Sequence, residues 1–361
     1  MTQSRTPDDD ALDVVLLSDG IAGHDGRIRG AVRALRRLTA CRPRVLDVVR
    51  RGLVPRFVVR RLIARGSAAT ALKLSSGLAP SLLGSPDLIV ASGSASRAPL
   101  LASGMLSNAP TLYLGPDPNS DGARTPVQEP QPTVHITPFG TTRVAEAVRD
   151  DGGCPDKRLL PPNGIDPASI AALRRPLGGT RTLALLLGGP RRSIRYTPVD
   201  WARLGALMLA LAEDGATRFI VVTSRRTPRE ATDALREVIT DRRVVRQFIE
   251  HGLARGSGIE PVLSLADAVL MTVDSPSMLT EAIAARRAVI TLAPSDTQLD
   301  ENDVAFRAFL EGEGWMRALP LGLATPETID AALTEIIPQT DDCVGALAQH
   351  LRQVLLPRLR R

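Results

Sequence analysis

Short apolar runs alternate with helix-length stretches along almost the whole chain. Apolar runs of this length, bounded by turn residues, are typical of buried parallel strands. In the first half they predict strands over residues 13–17, 44–49, 87–91, 111–114 and 133–137. In the second half they predict strands over residues 182–187, 218–223, 244–248, 268–272 and 288–292. Helices are predicted between strands, over residues 27–39, 97–107, 198–214, 229–240, 278–285 and 303–311.

Two strand–helix series of similar length predict an α/β protein with two Rossmann-like, doubly wound domains that face a cleft. The chain of 361 residues is long enough for two such domains. We expect an N-terminal domain over residues 1–151, a linker rich in Gly and Pro over 152–179, and a second domain over 180–338. A C-terminal helix within 339–361 is expected to pack back on the N-terminal domain. Because open α/β sheets bind ligands beyond the carboxyl ends of their strands, functional residues are expected just after strands.

The first predicted strand runs into the sequence SDGIAGH at residues 18–24. His24 lies near the start of the following helix, where a neutral imidazole can take a proton from an acceptor hydroxyl. Asp19 can orient His24 or bind the acceptor. The same residues also fit an ordinary tight turn in which both side chains are surface or capping groups, and the spacing alone favours neither interpretation.

Two loops of the second half place arginine after glycines or hydroxyls at a strand end. They contain Gly188, Gly189 and Arg192 in one case, and Thr223, Ser224 and Arg225 in the other. Such loops suit a diphosphate, because amides can approach it at the glycines and guanidinium groups neutralise its charge. Neither loop is a Walker A or GxGxxG motif. The alternative is a pair of strand–helix turns with solvated arginines and a capped helix start.

The most specific segment is AVLMTVDSPSMLTEA, residues 268–282. A buried strand leads into a turn and a helix, and the first-turn amides around Ser275, Ser277 and Met278 can bind phosphate. Glu281 lies one or two turns into that helix, where a carboxylate suits the two hydroxyls of a ribose. The alternative for Glu281 is a capping or surface carboxylate. The segment only roughly fits a capping box, which favours the functional interpretation.

Four motifs in this order resemble the family named after the plant mitochondrial-fission protein of the elongated-mitochondria type. They are SDGIAGH, LLGGP, VVTSRRTP and VDSPSMLTEA, and the resemblance runs from about residue 13 to residue 317. Bacterial members of this family are classed as glycosyltransferases of the GT-B type. There is a more distant similarity to the transferase that adds N-acetylglucosamine to the lipid-linked peptidoglycan precursor, at Gly23, His24, Ser275 and Glu281.

The resemblance implies a nucleotide-sugar donor in the C-terminal domain and an acceptor in the N-terminal domain. It also implies that no bound metal is needed, so that Arg192, Arg225 and helix dipoles stabilise the departing diphosphate. The sequence departs from the family pattern at residues 25–27 and 138–140. Both departures lie on the acceptor side, so donor binding is the safer inference.

The positive charge of the chain is concentrated near its N-terminus. The net charge is +6, yet residues 27–73 alone hold 14 Arg and Lys residues against the single acid Asp47. Residues 50–65 alternate arginines with apolar side chains, a pattern typical of an interfacial helix on anionic lipid. The alternative is a helix packed on its own sheet.

Nucleic acid is not expected as a partner. The chain has two Tyr, two Trp and no recognisable nucleic-acid-binding motif, so that only its charge would favour such binding.

We therefore expect a glycosyltransferase that moves a sugar from a nucleotide-sugar to a cell-envelope or lipid-linked acceptor, without cofactor or metal. The polar, acidic start and three scattered cysteines predict a cytoplasmic protein, with peripheral membrane contact through residues 50–65. The alternatives are a nucleotide-sugar epimerase of the same fold and a non-catalytic, membrane-associated adaptor.

Overall fold

The computed structural model describes residues 11–48, 54–115, 133–136, 142–145, 160, 162–174, 179–191, 193–251 and 259–359. The chain forms two compact units. One comprises Met1–Gly164 together with Asp342–Arg361, and the other comprises Ile165–Asp341. Each unit is built around one six-stranded sheet.

The sheet of the first unit has the strand order β2-β1-β3-β4-β5-β6. Its strands are β1 (Leu12–Ser18), β2 (Cys41–Asp47), β3 (Leu88–Ser92), β4 (Thr111–Leu114), β5 (Thr133–Ile136) and β6 (Thr142–Ala145). All neighbours are parallel except β6, which is antiparallel to β5 at the edge. The five parallel strands match the predicted ones. β6 was not predicted, because four residues with two polar side chains carry no buried-strand pattern.

The sheet of the second unit is parallel, in the order β10-β9-β7-β11-β12-β14. The strands of this unit are β7 (Arg181–Leu187), β8 (Ile194–Arg195), β9 (Thr217–Thr223), β10 (Val245–Ile249), β11 (Ala268–Thr272), β12 (Ala288–Ala293), β13 (Asp296–Thr297) and β14 (Met316–Pro320). β8 and β13 form a separate antiparallel pair. β14 was not predicted, because its residues are mostly exposed or half-buried at the sheet edge.

Helices connect most of the parallel strands. They are α1 (Ala22–Arg36), α2 (Arg56–Ala64), α3 (Ala68–Ser76), α4 (Arg97–Ser107), α5 (Pro167–Leu173), α6 (Pro198–Leu211), α7 (Arg229–Ala234), α8 (Arg236–Thr240), α9 (Glu260–Leu265), α10 (Pro276–Ala284), α11 (Glu301–Gly312), α12 (Pro326–Glu335) and α13 (Cys343–Val354). Two predictions are corrected. The helix predicted over 229–240 is split into α7 and α8, and α1 begins five residues before its predicted start, so that it includes Gly23 and Gly26.

Helices cover both faces of the first sheet. Val14 and Leu16 of β1 lie in one apolar cluster with α1 and α13, whereas Val15 and Leu17 lie in another with α2, α3 and α4. Because the sheet is buried on both faces, its parallel strands are continuous apolar runs in the sequence. This burial also confirms the predicted α/β class with parallel, Rossmann-like sheets.

The segment predicted as a linker, residues 152–179, contains the helix α5. Asp166 caps this helix by accepting a hydrogen bond from the amide of Ala168, and Pro167 occupies its first position. Pro at the first helical position lacks only an amide that would have no intrahelical partner. The division between the two units falls after Gly164, within the segment predicted as a linker.

The end of the chain belongs to the first unit. Leu347 and Leu351 of α13 are buried against α1, and Asp342 caps α13 while pairing with Arg37, the C-cap residue of α1. The C-terminal helix thus supplies part of the cover over one face of the first sheet.

Candidate functional site

Asp19 and His24 meet at the carboxyl end of β1. Nδ1 of His24 lies 2.9 Å from Oδ2 and 3.1 Å from Oδ1 of Asp19. The Asp19 side chain is 4% exposed and that of His24 is 24% exposed. A carboxylate beside Nδ1 favours the tautomer in which Nδ1–H donates to it, which leaves Nε2 as the proton acceptor. The structure therefore brings together the two residues that were predicted as a base and its orienting acid.

The turn before α1 holds this pair in place. Gly20 has a φ of +72°, a conformation that favours glycine, and its amide donates to Oγ of Ser18 at 3.1 Å. Oγ of Ser18 in turn donates to Oδ1 of Asp25 at 2.7 Å, and the amide of Ile21 donates to Oδ1 of Asp19 at 3.2 Å. Because α1 begins at Ala22, His24 lies within the first turn of the helix and not ahead of it.

Gly93, directly after the neighbouring strand β3, packs against the pair and was missed by sequence reasoning. A Cβ at this position would lie 2.2 Å from Nδ1 of His24 and 2.8 Å from Oδ2 of Asp19. Gly93 also has a φ of +86°. Its signal was present in the sequence, since a glycine directly after a buried strand is the pattern that singled out the other loops.

In the second unit, the two glycines after β7 make room for the protein's own loops. A Cβ on Gly188 would lie 2.1 Å from both carboxylate oxygens of Asp274, and one on Gly189 would lie 1.9 Å from the carbonyl oxygen of Arg226. The amide of Gly188 donates to Oγ1 of Thr272 at 2.6 Å. The amide of Gly188 therefore already has a hydrogen-bond partner inside the protein.

The loop after β9 is held against the end of β7. Oγ1 of Thr227 donates to the carbonyl of Leu187 at 2.8 Å, and Oγ of Ser224 accepts from the amide of Arg226 at 3.1 Å. Thr223, predicted to face a ligand, accepts from the amide of His251 at 2.8 Å and so ties β9 to the end of β10.

Of the two arginines predicted to bind the diphosphate, Arg225 is the one that the structure describes. Arg225 and Arg226 are both exposed, and it is Arg226 that forms an ion pair with Asp274. Arg192 lies outside the residues that the structure describes.

Asp274 is the centre of a charged cluster that sequence reasoning did not select. Its side chain is 0% exposed, and Oδ2 accepts a hydrogen bond from Arg226 at 2.7 Å. The hydroxyl of Tyr196 donates to Oδ1 at 3.4 Å. Burial and the neighbouring Asp274 carboxylate both raise the pKa of Tyr196, so the phenol stays protonated and remains a donor.

A second ion pair adjoins Asp274 through a buried arginine. Arg191 lies 3.3 Å from Asp303, and burial raises the pKa of that carboxyl group. Arg307 interacts electrostatically with both Asp303 and Asp274 and donates to the carbonyl of Val273 at 2.5 Å, while burial lowers its pKa. We call this group the Asp274 cluster; its members are Arg191, Tyr196, Arg226, Asp274, Asp303 and Arg307.

Helix α10 begins directly after Asp274. Ser275 is its N-cap, with Oγ accepting from the amide of Met278 at 3.5 Å, and Ser277 lies half-buried in the first turn. Glu281 is half-buried further along the same helix. The structure thus brings Ser275, Ser277 and Met278 to the carboxyl edge of the second sheet, close in the chain to Asp274.

The helix predicted within residues 50–65 is α2, and most of its apolar face is used within the protein. Val59 and Ile63 are buried against the first sheet, whereas Phe57 is 70% exposed. Arg60 and Arg61 are exposed as well. The apolar side chains of α2 are therefore divided between core and surface, and residues 50–53 lie outside the described part of the chain.

The described residues contain no group of three or more His, Cys, Asp or Glu side chains that could hold a metal ion. The described part of the chain also has no helix that is long and apolar enough to cross a bilayer.

Gly93→Ala tests the packing at the Asp19–His24 pair. We expect the added methyl group to displace the imidazole and change the nitrogen chemical shifts of His24 in an NMR spectrum. Gly66→Ala is the matched control, because Gly66 has a φ of +75° but open space around it. Both variants carry the left-handed backbone cost of roughly 1–2 kcal/mol. Identical His24 spectra for the two variants would contradict the close contact.

Known structures share the fold at low sequence identity. A Listeria monocytogenes protein assigned as a UDP-N-acetylglucosamine 2-epimerase matches with a TM-score of 0.53 and 12% identity, over 96% of each chain. The complex of Staphylococcus aureus MnaA with UDP matches with a TM-score of 0.52 and 12% identity, over 94% of this chain and 95% of that one. The Neisseria meningitidis UDP-GlcNAc 2-epimerase bound to UDP-GlcNAc matches with a TM-score of 0.50 and 11% identity, over 96% and 99%. These likenesses support two Rossmann-like domains.

No curated protein sequence matches the chain. The family model described as Mitochondrial fission ELM1 matches residues 159–351, which include three of the four sequence motifs and leave SDGIAGH outside. This range is more than half of the chain and confirms the resemblance drawn from those motifs. The chain belongs to the Mitochondrial fission ELM1 family.

Proposed function

We propose that this chain is a glycosyltransferase that moves a sugar from a nucleotide-sugar donor to an acceptor hydroxyl. The observation that carries the proposal is the Asp19–His24 pair at the carboxyl edge of the first sheet. An imidazole with one nitrogen bound to a buried carboxylate and the other unprotonated is built to accept a proton. An adaptor without catalytic activity has no need of such a pair.

In the proposed reaction, Nε2 of His24 takes the proton of the acceptor hydroxyl as its oxygen attacks the anomeric carbon. The new bond joins that oxygen to the anomeric carbon, and the bond from the anomeric carbon to the diphosphate oxygen breaks. The nucleoside diphosphate leaves with the bonding electrons, and Asp19 stabilises the imidazolium that forms.

The donor is proposed to bind at the carboxyl edge of the second sheet. The first turn of α10, in which Ser277 and Met278 follow the cap Ser275, presents the positive end of a helix dipole to phosphate. Glu281 would accept hydrogen bonds from the ribose hydroxyls. Arg192, together with an arginine of the loop after β9, would neutralise the charge of the diphosphate.

A nucleotide-sugar epimerase is the second candidate, because two of the similar structures are described as UDP-N-acetylglucosamine 2-epimerases. An epimerase would convert the sugar of the nucleotide-sugar without any acceptor and would release an isomeric nucleotide-sugar. A glycosyltransferase would instead release a nucleoside diphosphate only when an acceptor is present.

The acceptor is proposed to be lipid-linked or part of the cell envelope, with α2 in contact with an anionic membrane. Phe57 is the apolar side chain that α2 leaves exposed, and Arg60, Arg61 and Arg65 are exposed on the same helix and at its end. An exposed aromatic ring surrounded by arginines fits the boundary between lipid headgroups and acyl chains.

The donor site is tested by a thermal-shift panel of UDP-, GDP-, CMP- and dTDP-sugars. We expect one nucleotide series to raise Tm, because a ligand that binds only the folded state stabilises it. Glu281→Ala should weaken that binding by about tenfold or more, since hydrogen bonds to a charged group are lost. Glu237→Ala, an exposed acid on α8, serves as control and should bind normally. A panel without any shift would support the adaptor.

His24→Ala tests the catalytic base separately from donor binding. We expect turnover to fall by about 10²-fold or more, because general-base catalysis contributes that much. The shift of Tm with the nucleotide-sugar should remain as in the unmodified protein. Turnover that survives in His24→Ala would contradict the assigned role.

Product analysis with and without an acceptor fraction distinguishes transfer from epimerisation.

Phe57→Ser tests the membrane contact by co-sedimentation with vesicles of phosphatidylglycerol and phosphatidylcholine at low salt. We expect binding to fall by about tenfold, because the transfer of a Phe side chain from water is lost. Ile337→Ser is the control, since Ile337 is also 70% exposed but lies in the other unit. The absence of any binding by the unmodified protein would refute the contact.

A further inference from the structure

Asp274 holds one end of Arg226 at two points. A single terminal nitrogen of the guanidinium group donates to Oδ2 of Asp274 at 2.7 Å and to the carbonyl oxygen of Asp274 at 3.2 Å. Asp274 itself is fixed by the hydroxyl of Tyr196 and by its packing over Gly188. A long, flexible side chain is thus held by a buried carboxylate that has a hydrogen-bond partner of its own.

The other nitrogens of the Arg226 guanidinium group can still donate hydrogen bonds. Its Nε and its second terminal nitrogen form no hydrogen bond with any of the described residues, and its side chain is 38% exposed. The planar fork of arginine matches the oxygens of a phosphate, and less conformational freedom is lost when the fork is already fixed. Arg226 is therefore prepared for an anion from solvent.

The charges of the Asp274 cluster also favour an anion. The cluster has three guanidinium groups, on Arg191, Arg226 and Arg307, against two carboxylates, on Asp274 and Asp303. Nε and one terminal nitrogen of Arg307 are buried without a hydrogen-bond partner among the described residues. The Asp274 cluster therefore has one positive charge in excess. Because the cluster is partly shielded from water, this charge attracts an anion more strongly than it would in bulk water.

We propose that Asp274 is a positioning residue that fixes Arg226, and that Arg226 binds the diphosphate of the nucleotide ligand. This inference rests on the proposed function and deepens it. It replaces Arg225 by its neighbour as the arginine that meets the ligand, because Arg226 alone of the two is anchored. The ligand class is an inorganic or nucleotide-borne diphosphate.

Inorganic pyrophosphate is the first probe, used with the full chain in isothermal titration calorimetry. Arg226→Gln should weaken pyrophosphate binding by about tenfold or more, because charge-assisted hydrogen bonds are lost. Arg225→Gln is the matched control from the same loop and should bind within about twofold of the unmodified protein, as exposed charges contribute little. The nucleoside that corresponds to the bound nucleotide should bind both variants equally.

The positioning role of Asp274 is tested by a double-mutant cycle. Asp274→Asn should weaken pyrophosphate binding in the unmodified background, and should have no further effect once Arg226→Gln is present. Arg226→Lys is the second variant, for use where Asp274→Asn does not fold. Lysine keeps the charge but not the fork, so we expect it to restore only part of the affinity.

The outcomes separate this inference from the proposed function. Equal effects of Arg225→Gln and Arg226→Gln, full rescue by Arg226→Lys, or additive losses in the cycle would each overturn the positioning role, even if a nucleotide-sugar binds and is turned over. No pyrophosphate binding by the unmodified protein would overturn it as well. Binding that depends on Arg226 and Asp274 would support it even where no sugar transfer is observed.

Discussion

A carboxylate buried against a glycine of the neighbouring strand organises the edge of each sheet. In the first unit Asp19 follows β1, and Gly93 after β3 packs against it. In the second unit Asp274 follows β11, and Gly188 after β7 packs against it. β1 and β3 are neighbours in one sheet, as β7 and β11 are in the other. The missing Cβ of each glycine provides the space that the carboxylate occupies.

Each of these carboxylates holds a more exposed nitrogen base or cation. Asp19 binds Nδ1 of His24, and Asp274 binds a terminal nitrogen of Arg226. The acid is buried and the partner is partly accessible, so the partner's remaining nitrogens are available to a ligand. The chemistry differs, since a histidine can move a proton whereas an arginine remains charged and can only bind. The same packing device therefore suits a base in one unit and an anion-binding group in the other.

The sequence pattern predicted most of the fold because parallel strands buried on both faces must be apolar along their whole length. The edge strand β14 was not predicted, since its residues are mostly exposed or half-buried, and β6 was not predicted because two of its four residues are polar. The start of α1 was also not predicted, because Gly23 and Gly26 are poor helix formers and Ile21 caps the helix without a side-chain hydrogen bond. Tertiary packing on β1 and α13 overrides this weak local preference.

The site was harder to predict than the fold, because contacts between loops distant in sequence decide it. Asp19 and His24 are five residues apart and could be paired from local pattern. Arg226 and Asp274 are separated by 48 residues, and nothing local distinguishes Arg226 from Arg225. The glycines after β7 were selected because a diphosphate could approach them, and the structure gives a further reason for glycine at both positions. They are required by the backbone and carboxylate that lie on them.

The burial of Asp274 has a physical consequence for the choice between enzyme and adaptor. Removing the Asp274 carboxylate from water costs free energy that its attraction to a partly exposed guanidinium group only partly returns, so the pair contributes little to stability alone. Apolar residues of similar volume would stabilise the same sheet edge as well or better. A charge pair with fixed geometry favours ligand binding, because a side chain that is already positioned loses less conformational freedom when it binds a ligand. The Asp274–Arg226 pair therefore favours a ligand-binding role for the second unit over a purely structural one.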